Sequence, residues 1–344
     1  MVQKVNVGIL GGTGMVGRRL ARLLIGHPWF ELKAVIGQAS IGDSYHDVWH
    51  RKESAMSAHY GSSFWSQDPA PPELEHLRVL SLAEGLGDQG IEVLFAAVSA
   101  EGQAAEQRAL EQGRRVFSNS PYGRFDDENP LVIPEVNRAQ ISQARFVKNP
   151  NCVTSGAVMI LDALAPLGLR GVAVTTFQSL SGRGDAKYPV DLVAGNVYPL
   201  HGSEERTEEY IAREIHKILD SDFPVSVSCN RVFVQEGHFV DLRIRTTRRP
   251  DTKELVALLE GYDPLAEVPL PSKPLRPLVV CSENGRPRPN QDSLHGRGFS
   301  VAVGNLCTSD LMFEVRLQYV VNNLIRGAAG SALLNAEYWY LSTH

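Results

Sequence analysis

The sequence lacks the features of membrane, disulfide-rich and nucleic-acid-binding proteins. No apolar run approaches the roughly 20 residues of a membrane-spanning helix, and the opening MVQKVNVGIL follows a strand pattern rather than a signal peptide. The net charge of −5 argues against nucleic acid or an anionic membrane as a general partner. No CxxC spacing joins the four cysteines, so we predict no metal site and expect reduced thiols in the cytoplasm; they are Cys152, Cys229, Cys281 and Cys307.

The first part of the chain alternates strand and helix patterns. KVNVGIL reads as a strand, MVGRRLARLLIG as an amphipathic helix and FELKAVIG as a second strand. IEVLFAAVS, the helical AEGQAAEQRALEQG and RRVFSNS continue the alternation. We therefore predict an α/β fold whose residues 1–150 form a Rossmann-type, doubly wound parallel sheet.

The remainder of the chain shows a different pattern of predicted secondary structure. Long strand patterns such as GVAVTTFQSLSG, VSVSCNRVFVQ and GHFVDLRIRTT dominate, with fewer helices between them. This predicts an α+β domain over residues 151–322 with a mostly antiparallel sheet. Residues 264–291 are rich in proline and polar residues and are interpreted as an excursion or linker. A final helix, 323–344, is expected to pack back on the first domain.

A glycine turn separates the first strand from the first helix. GILGGTGMVG places Gly11, Gly14 and Gly17 there, which allows a tight turn and close approach of a pyrophosphate to the helix N-terminus. An NAD enzyme usually carries an acid at the end of the second strand, whereas this chain has Gln38 and Ser40 and no acid before Asp43. The pattern favours NADP(H), although this short stretch contains no arginine for the 2′-phosphate.

One cysteine lies in a polar turn rather than among apolar residues. In KNPNCVTSG, Cys152 immediately precedes an apolar helical pattern, where backbone N–H groups favour a thiolate. We therefore expect a lowered thiol pKa and the fastest alkylation at Cys152.

Two charged or titratable residues share apolar strand faces. Arg231 alternates in phase with Val227 and Cys229, and His238 in phase with Val240. Singly, such a histidine is more often a hydrogen-bonded core residue, and such an arginine is usually paired to a buried carboxylate. Together with a helix-start cysteine and a dinucleotide turn, they indicate thiol-based hydride chemistry at an acyl carbon.

These motifs resemble the aspartate-semialdehyde dehydrogenase family, in its archaeal and fungal branch, almost from end to end. The resemblance rests on GGTGMVG, SNSPYGRFDDENPLVIPEVN, NPNCVTS, FQSLSG, CNRVFVQEGH and NNLIRGAAGSALLNAEY. It implies that Cys152 is the nucleophile, His238 the acid/base and Gln178 the substrate-orienting amide. It further implies substrate binding by Arg231 (carboxylate), Arg124 (phosphate), Asn119 and Glu204, and Arg206 is added as a candidate for the reason given below. The implied cofactor-binding residues are Gly11, Thr13, Gly14, Met15, Val16, Gly17, Gln38, Ser40, Ser99, Ser181, Gly182 and Asn323.

The chain departs from the family at the anion site. The family carries a Glu-Glu-Glu-Lys run whose lysine helps to bind the acyl phosphate, whereas this chain reads HGSEERTEEYIAREIHKIL. Thr207 or Tyr210 occupies the lysine position, depending on the direction of counting, and Arg206 is the candidate substitute. The usual SGAG is also changed, to SGRGDAKYP.

The departure leaves three hypotheses for function. The first is an NADP-dependent aspartate-semialdehyde dehydrogenase that acts on a small-molecule substrate as a homodimer or homotetramer. The second is a reductase of malonyl-CoA or another carboxylated thioester, because archaeal malonyl-CoA reductase also lacks the glutamate–lysine run. The third is a non-catalytic paralogue, against which the intact set of Cys152, Gln178, Arg231 and His238 argues.

Overall fold

The computed structural model describes residues 4–87, 90–203 and 205–344, and its first sheet contains six strands that are all parallel. Their spatial order is β3-β2-β1-β4-β5-β6, so the winding direction changes between β1 and β4, where such sheets bind ligands. Strand β4 is buried at every residue, as expected for a central strand covered on both faces. The strands are β1 Val5–Leu10, β2 Phe30–Ile36, β3 Val79–Leu80, β4 Val93–Ala96, β5 Arg115–Ser118 and β6 Phe146–Lys148.

The second sheet has seven strands in the order β11-β12-β13-β10-β7-β9-β8. Two neighbouring pairs, β7 with β9 and β11 with β12, are parallel, and the other pairs are antiparallel. The predicted fold class is therefore confirmed. The strands are β7 Leu169–Gln178, β8 Val197–Pro199, β9 Val225–Val232, β10 His238–Thr246, β11 Leu278–Cys281, β12 Val301–Cys307 and β13 Val315–Val321.

Eleven α-helices accompany the sheets within the described residues. Helix α2 was not predicted, because its buried residues are interspersed with histidines and charged residues that obscure the helical period. The helices are α1 Met15–Leu24, α2 Tyr45–Tyr60, α3 Leu82–Leu86, α4 Gln103–Glu111, α5 Pro134–Asn137, α6 Cys152–Ala163, α7 Val190–Val193, α8 Thr207–Leu219, α9 Thr252–Glu260, α10 Pro289–Asp292 and α11 Gly330–Thr343. No helix in the described ranges is long and apolar enough to cross a membrane.

The interpretation of residues 264–291 as a linker is wrong in part. Leu278–Cys281 forms β11, which pairs in parallel with β12 and extends the second sheet, and Pro289 begins α10. The prolines on both sides of the strand hid a four-residue apolar run. A strand so short gives too few alternations for the sequence pattern to reveal it.

The C-terminal segment returns to the first sheet. A π-helical turn, Ile325–Ala329, leads into α11, which packs against β5 and α1. Ala332, Leu333 and Ala336 belong to the same apolar cluster as Val7 and Ile9 of β1. Helix α6 follows β6 directly and lies in the core of the second domain, so its first residue, Cys152, lies where the two halves of the chain meet.

Candidate active site

The glycine turn after β1 approaches other backbone too closely for side chains. Gly11 has a φ of 76°, and a Cβ there would lie 2.4 Å from the Ala97 carbonyl oxygen. A Cβ on Gly17 would lie 2.5 Å from the Gly11 carbonyl oxygen, so this glycine lets α1 pack against the turn. Glycine is therefore required at both positions on steric grounds.

A cavity of about 280 Å³ adjoins this turn at the carboxyl ends of the strands. Its size, its bare backbone and its position at the change of winding direction fit part of an extended dinucleotide. Predicted cofactor residues that line it are Gly11, Thr13, Gly14, Gln38 and Ser99. Met15 lies instead in an apolar cluster with Leu324, and Ser40 lies just beyond the cavity with a φ of 63°.

Cys152 and His238 form the central contact of the site. Cys152 is the first residue of α6, and the N-cap side chain of Asn151 accepts a hydrogen bond from Val153 N at 2.9 Å. His238, the fully buried first residue of β10, places Nε2 3.0 Å from Cys152 Sγ. Ser179 contacts the other ring nitrogen, Nδ1, through its backbone N–H at 3.0 Å and its hydroxyl at 3.1 Å. The imidazole is thus held between a thiol and a serine.

Burial dominates the electrostatics of this contact. It raises the pKa of the Cys152 thiol to about 11, against the opposing effects of Arg231 and of the helix-end backbone N–H groups. Burial, followed by the charge of Arg231, holds the pKa of His238 well below its usual value. The expectation of a lowered Cys152 pKa is therefore wrong, and near pH 7 these shifts favour the neutral thiol and the neutral imidazole. Only at Cys307 is a thiol pKa lowered among these cysteines, by hydrogen bonds with Ser309.

Arg231 lies beside this contact and is fully buried on β9. Its Nη1 donates to the Ser179 carbonyl oxygen at 2.8 Å, and its Nη2 donates to Glu205 Oε2 at 2.7 Å. A Cβ on Gly182 would lie 2.9 Å from Arg231 Nη1 and 2.7 Å from His238 Cε1. The guanidinium and the imidazole therefore both lie close to Gly182, where a side chain would contact them.

Glu205 joins Arg231 to a segment that departs from the family pattern. Its Oε1 lies 3.0 Å from Arg183 Nη1 and also accepts a hydrogen bond from the Tyr188 hydroxyl. The Arg231 guanidinium lies 5.1 Å from the centre of the Tyr188 ring. Two arginines and one glutamate leave a net positive charge, which suits a carboxylate ligand. Gln178 is buried nearby at the end of β7, with its amide donating to Thr176 Oγ1 at 3.1 Å.

A cleft of about 170 Å³ opens at Cys152. It brings together six predicted residues from different parts of the chain: Val16, Asn119, Arg124, Ser181, Gly182 and Asn323. Asn323 connects several of the surrounding segments, because it donates to Ser181 Oγ at 2.9 Å and accepts from Gly237 N at 2.9 Å.

Arg124 borders this cleft, and its guanidinium already donates hydrogen bonds to other protein groups. Its Nη1 donates to Glu214 Oε1 at 2.8 Å, and its Nη2 donates to the Asn119 carbonyl oxygen at 2.8 Å. Within the described residues, its buried Nε has no hydrogen-bond partner. Glu214 also accepts from Asn151 N at 2.8 Å and from Thr154 Oγ1 at 2.6 Å. Sequence reasoning missed Glu214, although its place on the apolar face of α8 was a signal.

The structure does not bring Arg206 into the cleft. Its side chain is 59% exposed, and its guanidinium pairs with Glu209 one turn further along α8. Thr207 begins α8, and Tyr210 packs against Phe125 with ring centres 5.6 Å apart. Glu204 lies outside the described residues.

Helix α2 holds the segment that follows Arg183. Asp185 pairs with Lys52 of α2 at 3.1 Å and with Arg18 of α1 at 3.2 Å. The backbone of Tyr188 is held from both sides, because its N–H donates to the Tyr60 hydroxyl at 2.8 Å and its carbonyl oxygen lies 2.7 Å from His59 Nε2. The changed sequence SGRGDAKYP thus contacts helices α1 and α2 of the first domain.

Known proteins resemble the chain over nearly its full length. Residues 6–144 match the semialdehyde dehydrogenase NAD binding domain, and residues 160–326 match the semialdehyde dehydrogenase dimerisation domain. The chain is 32% identical to the aspartate-semialdehyde dehydrogenase of Archaeoglobus fulgidus, with 97% of each chain covered. It is 27% identical to the malonyl CoA reductase (NADP) of Metallosphaera sedula, with 98% of this chain and 97% of that protein covered. The structure of aspartate semialdehyde dehydrogenase with NADP from Candida albicans matches with a TM-score of 0.82 at 26% identity, covering 98% of this chain and 99% of that one.

Proposed function

The chain belongs to the aspartate-semialdehyde dehydrogenase family, and we propose that it interconverts L-aspartate 4-semialdehyde and L-aspartyl phosphate with NADP(H). The proposal rests on the 3.0 Å contact between Cys152 Sγ and His238 Nε2, beside the buried Arg231 and next to the glycine turn. We assign residues 1–150 and helix 323–344 to NADP binding, and residues 151–322 to catalysis and dimerisation in a cytoplasmic homo-oligomer.

The thiol is the nucleophile in this reaction. As a bond forms between Sγ and the aldehyde carbon, the thiol proton passes to His238 Nε2. The Ser179 backbone N–H donates to Nδ1 at 3.0 Å, which places the ring proton on Nε2, so this transfer requires the ring proton to move to Nδ1 with the Ser179 hydroxyl as its acceptor. Bound NADP would supply the hydride acceptor that oxidises this adduct to a thioester, with Ser181, Gly182 and Asn323 bordering its nicotinamide end. Phosphate then attacks the resulting thioester, the C–S bond breaks, and the sulfur recovers its proton from His238.

The surrounding residues hold the substrate in this scheme, and their roles are proposals. Arg231 binds the far carboxylate, and the Gln178 amide orients the acyl group. Arg124 and Asn119 line the cleft at Cys152 and are assigned to the entering phosphate. The predicted cofactor residues Ser181, Gly182 and Asn323 border the cleft near the nicotinamide end.

Reduction of a carboxylated thioester such as malonyl-CoA is the second candidate. A specific observation favours it: within the described residues, Arg124 is the only cationic side chain lining the Cys152 cleft, and Glu214 already binds it. A dianionic acyl phosphate is normally held by several convergent cations. A thioester places its charged group far from the reacting carbon and needs fewer cations there.

Turnover measurements separate the two candidates. The first predicts reduction of NADP by aspartate semialdehyde only when phosphate is present, with little oxidation of NADPH by malonyl-CoA. The reverse pattern would replace it with the second candidate. Absence of both activities in folded protein that binds NADPH would favour the non-catalytic alternative.

A further inference from the structure

The segment after β2 determines which dinucleotide the first domain accepts. In this fold the adenosine ribose lies at the end of the second strand, where an acid binds its hydroxyls or an arginine accommodates a 2′-phosphate. Gln38 and Ala39 line the dinucleotide cavity at this point, and Ser40 follows in a left-handed conformation. The nearest acid in sequence, Asp43, lies three residues beyond Ser40.

The arginine that the short sequence motif lacks comes from α2. Arg51 lies two turns into the helix, and helical side chains lean toward the N-terminus, which for α2 means toward Ser40. Its Nη2 lies 3.4 Å from Ser40 Oγ and also pairs with Asp43 Oδ2. A hydroxyl and a guanidinium thus lie together immediately beyond the cavity wall.

The charge around Ser40 favours an anion. Arg78 donates from Nη1 to the Gly42 carbonyl oxygen at 2.9 Å, so a second guanidinium lies against the same segment. Arg51 and Arg78 together outweigh the single charge of Asp43. The adjacent Lys52 does not contribute, because it pairs with Asp185 on the other side of the helix.

We propose that Arg51 and Ser40 bind the 2′-phosphate of NADP(H), and that Asp43 is the counter-ion that Arg51 exchanges for this phosphate. The inference rests on the proposed use of NADP(H) and adds the residues that select it. Arg51 provides two parallel N–H donors, the arrangement that suits a phosphomonoester. Because Asp43 competes with the phosphate for the same guanidinium, it weakens NADP(H) binding without contacting the cofactor.

Fluorescence titration of the full chain with NADPH and NADH tests the proposal. Arg51→Ala should weaken NADPH binding by roughly 10- to 100-fold, the loss expected for charged hydrogen bonds, and leave NADH within about twofold. Asp43→Asn should tighten NADPH binding by at least about twofold and leave NADH unchanged. Lys33→Ala, which removes the same charge from β2 away from Ser40, is the control for net charge and should affect neither.

The outcomes distinguish failure of the 2′-phosphate assignment from failure of the proposed use of NADP(H). Equal wild-type affinity for NADPH and NADH would overturn NADP(H) selectivity itself. A wild-type preference for NADPH that survives Arg51→Ala would overturn only the role of Arg51. Equal weakening of NADPH and NADH by Arg51→Ala would likewise contradict 2′-phosphate recognition. Arg51 is exposed, so the variant is expected to fold, and circular dichroism verifies this.

Discussion

At the residue scale, the contact between Cys152 and His238 joins two neutral groups, and this has a measurable pH dependence. Burial raises the thiol pKa to about 11, so the reactive thiolate fraction at Cys152 should keep increasing well above pH 9. We expect the alkylation rate of Cys152 in the ligand-free enzyme to rise about tenfold per pH unit between pH 7 and 9. Peptide-resolved mass spectrometry after iodoacetamide pulses measures this rate.

Cys307 serves as the internal comparison for this prediction. Hydrogen bonds with Ser309 lower its thiol pKa, so it should react before Cys152 near pH 7. A Cys152 rate that levels off below pH 8 would mean that the free enzyme holds a thiolate–imidazolium pair. Loss of turnover is still expected from Cys152→Ser, because a serine hydroxyl is a far weaker nucleophile at this pH.

Replacement of Arg231 or Arg206 by alanine should have different effects on the steady-state kinetics. Arg231→Ala should lower kcat/KM for aspartate semialdehyde by at least about 10- to 100-fold, because it removes a buried charged donor and leaves Glu205 with one fewer partner. Arg206→Ala should leave the KM for phosphate within about twofold, because an exposed ion pair contributes little. Steady-state kinetics with varied aspartate semialdehyde measures the first effect, and kinetics with varied phosphate measures the second. A large rise in this KM for Arg206→Ala would show that α8 rearranges when phosphate binds.

At the element scale, Glu214 connects α8 to the start of α6 and to Arg124. Replacing it with glutamine removes the buried negative charge that accepts from Asn151 N and Thr154 Oγ1. We expect Glu214→Gln to lower the free energy of unfolding by about 1–3 kcal/mol, the usual cost of weakening buried charged hydrogen bonds. It should also lower kcat, because the position of Cys152 depends on these contacts. Urea denaturation and kinetics measure the two effects.

Glu209→Gln provides the matched control on the same helix. Its exposed carboxylate contacts only Arg206 and Arg213 within the described residues, so both quantities should change little. An equal loss of stability in the two variants would indicate that helix propensity, rather than the contact with α6, explains the effect.

Sequence reasoning succeeded where a local pattern determines an element and failed where a role depends on distant residues. The Gly11 turn, the longer strands of both sheets and the inward faces of Arg231 and His238 follow from short periodic patterns. Glu214 was missed because its partners lie about 60 and 90 residues earlier in the chain. The direction of the Cys152 pKa shift was misjudged because burial is a property of the assembled core.

At the scale of the whole molecule, α11 couples the chain terminus to the first domain. Leu333 is fully buried in a cluster that includes strands from the start of the chain. Leu333→Ala should therefore lower the free energy of unfolding by about 2–5 kcal/mol through lost burial and a residual cavity. Chemical denaturation measures the loss, and Leu341→Ala, a substitution at a partly exposed position of the same helix, should cost less than about 1 kcal/mol. Equal costs would mean that α11 is not fixed in this core.

Helix α2 contacts both the segment after β2 and the segment that follows Arg183. Arg51 of this helix contacts Ser40 in the segment after β2. His59 of the same helix contacts the Tyr188 carbonyl oxygen, and Lys52 pairs with the Asp185 carboxylate. The same sixteen-residue helix therefore contacts both the proposed 2′-phosphate site and the segment that carries Arg183 and Tyr188. We expect occupation of the first to alter the position of the second, and with it the substrate end of the cleft.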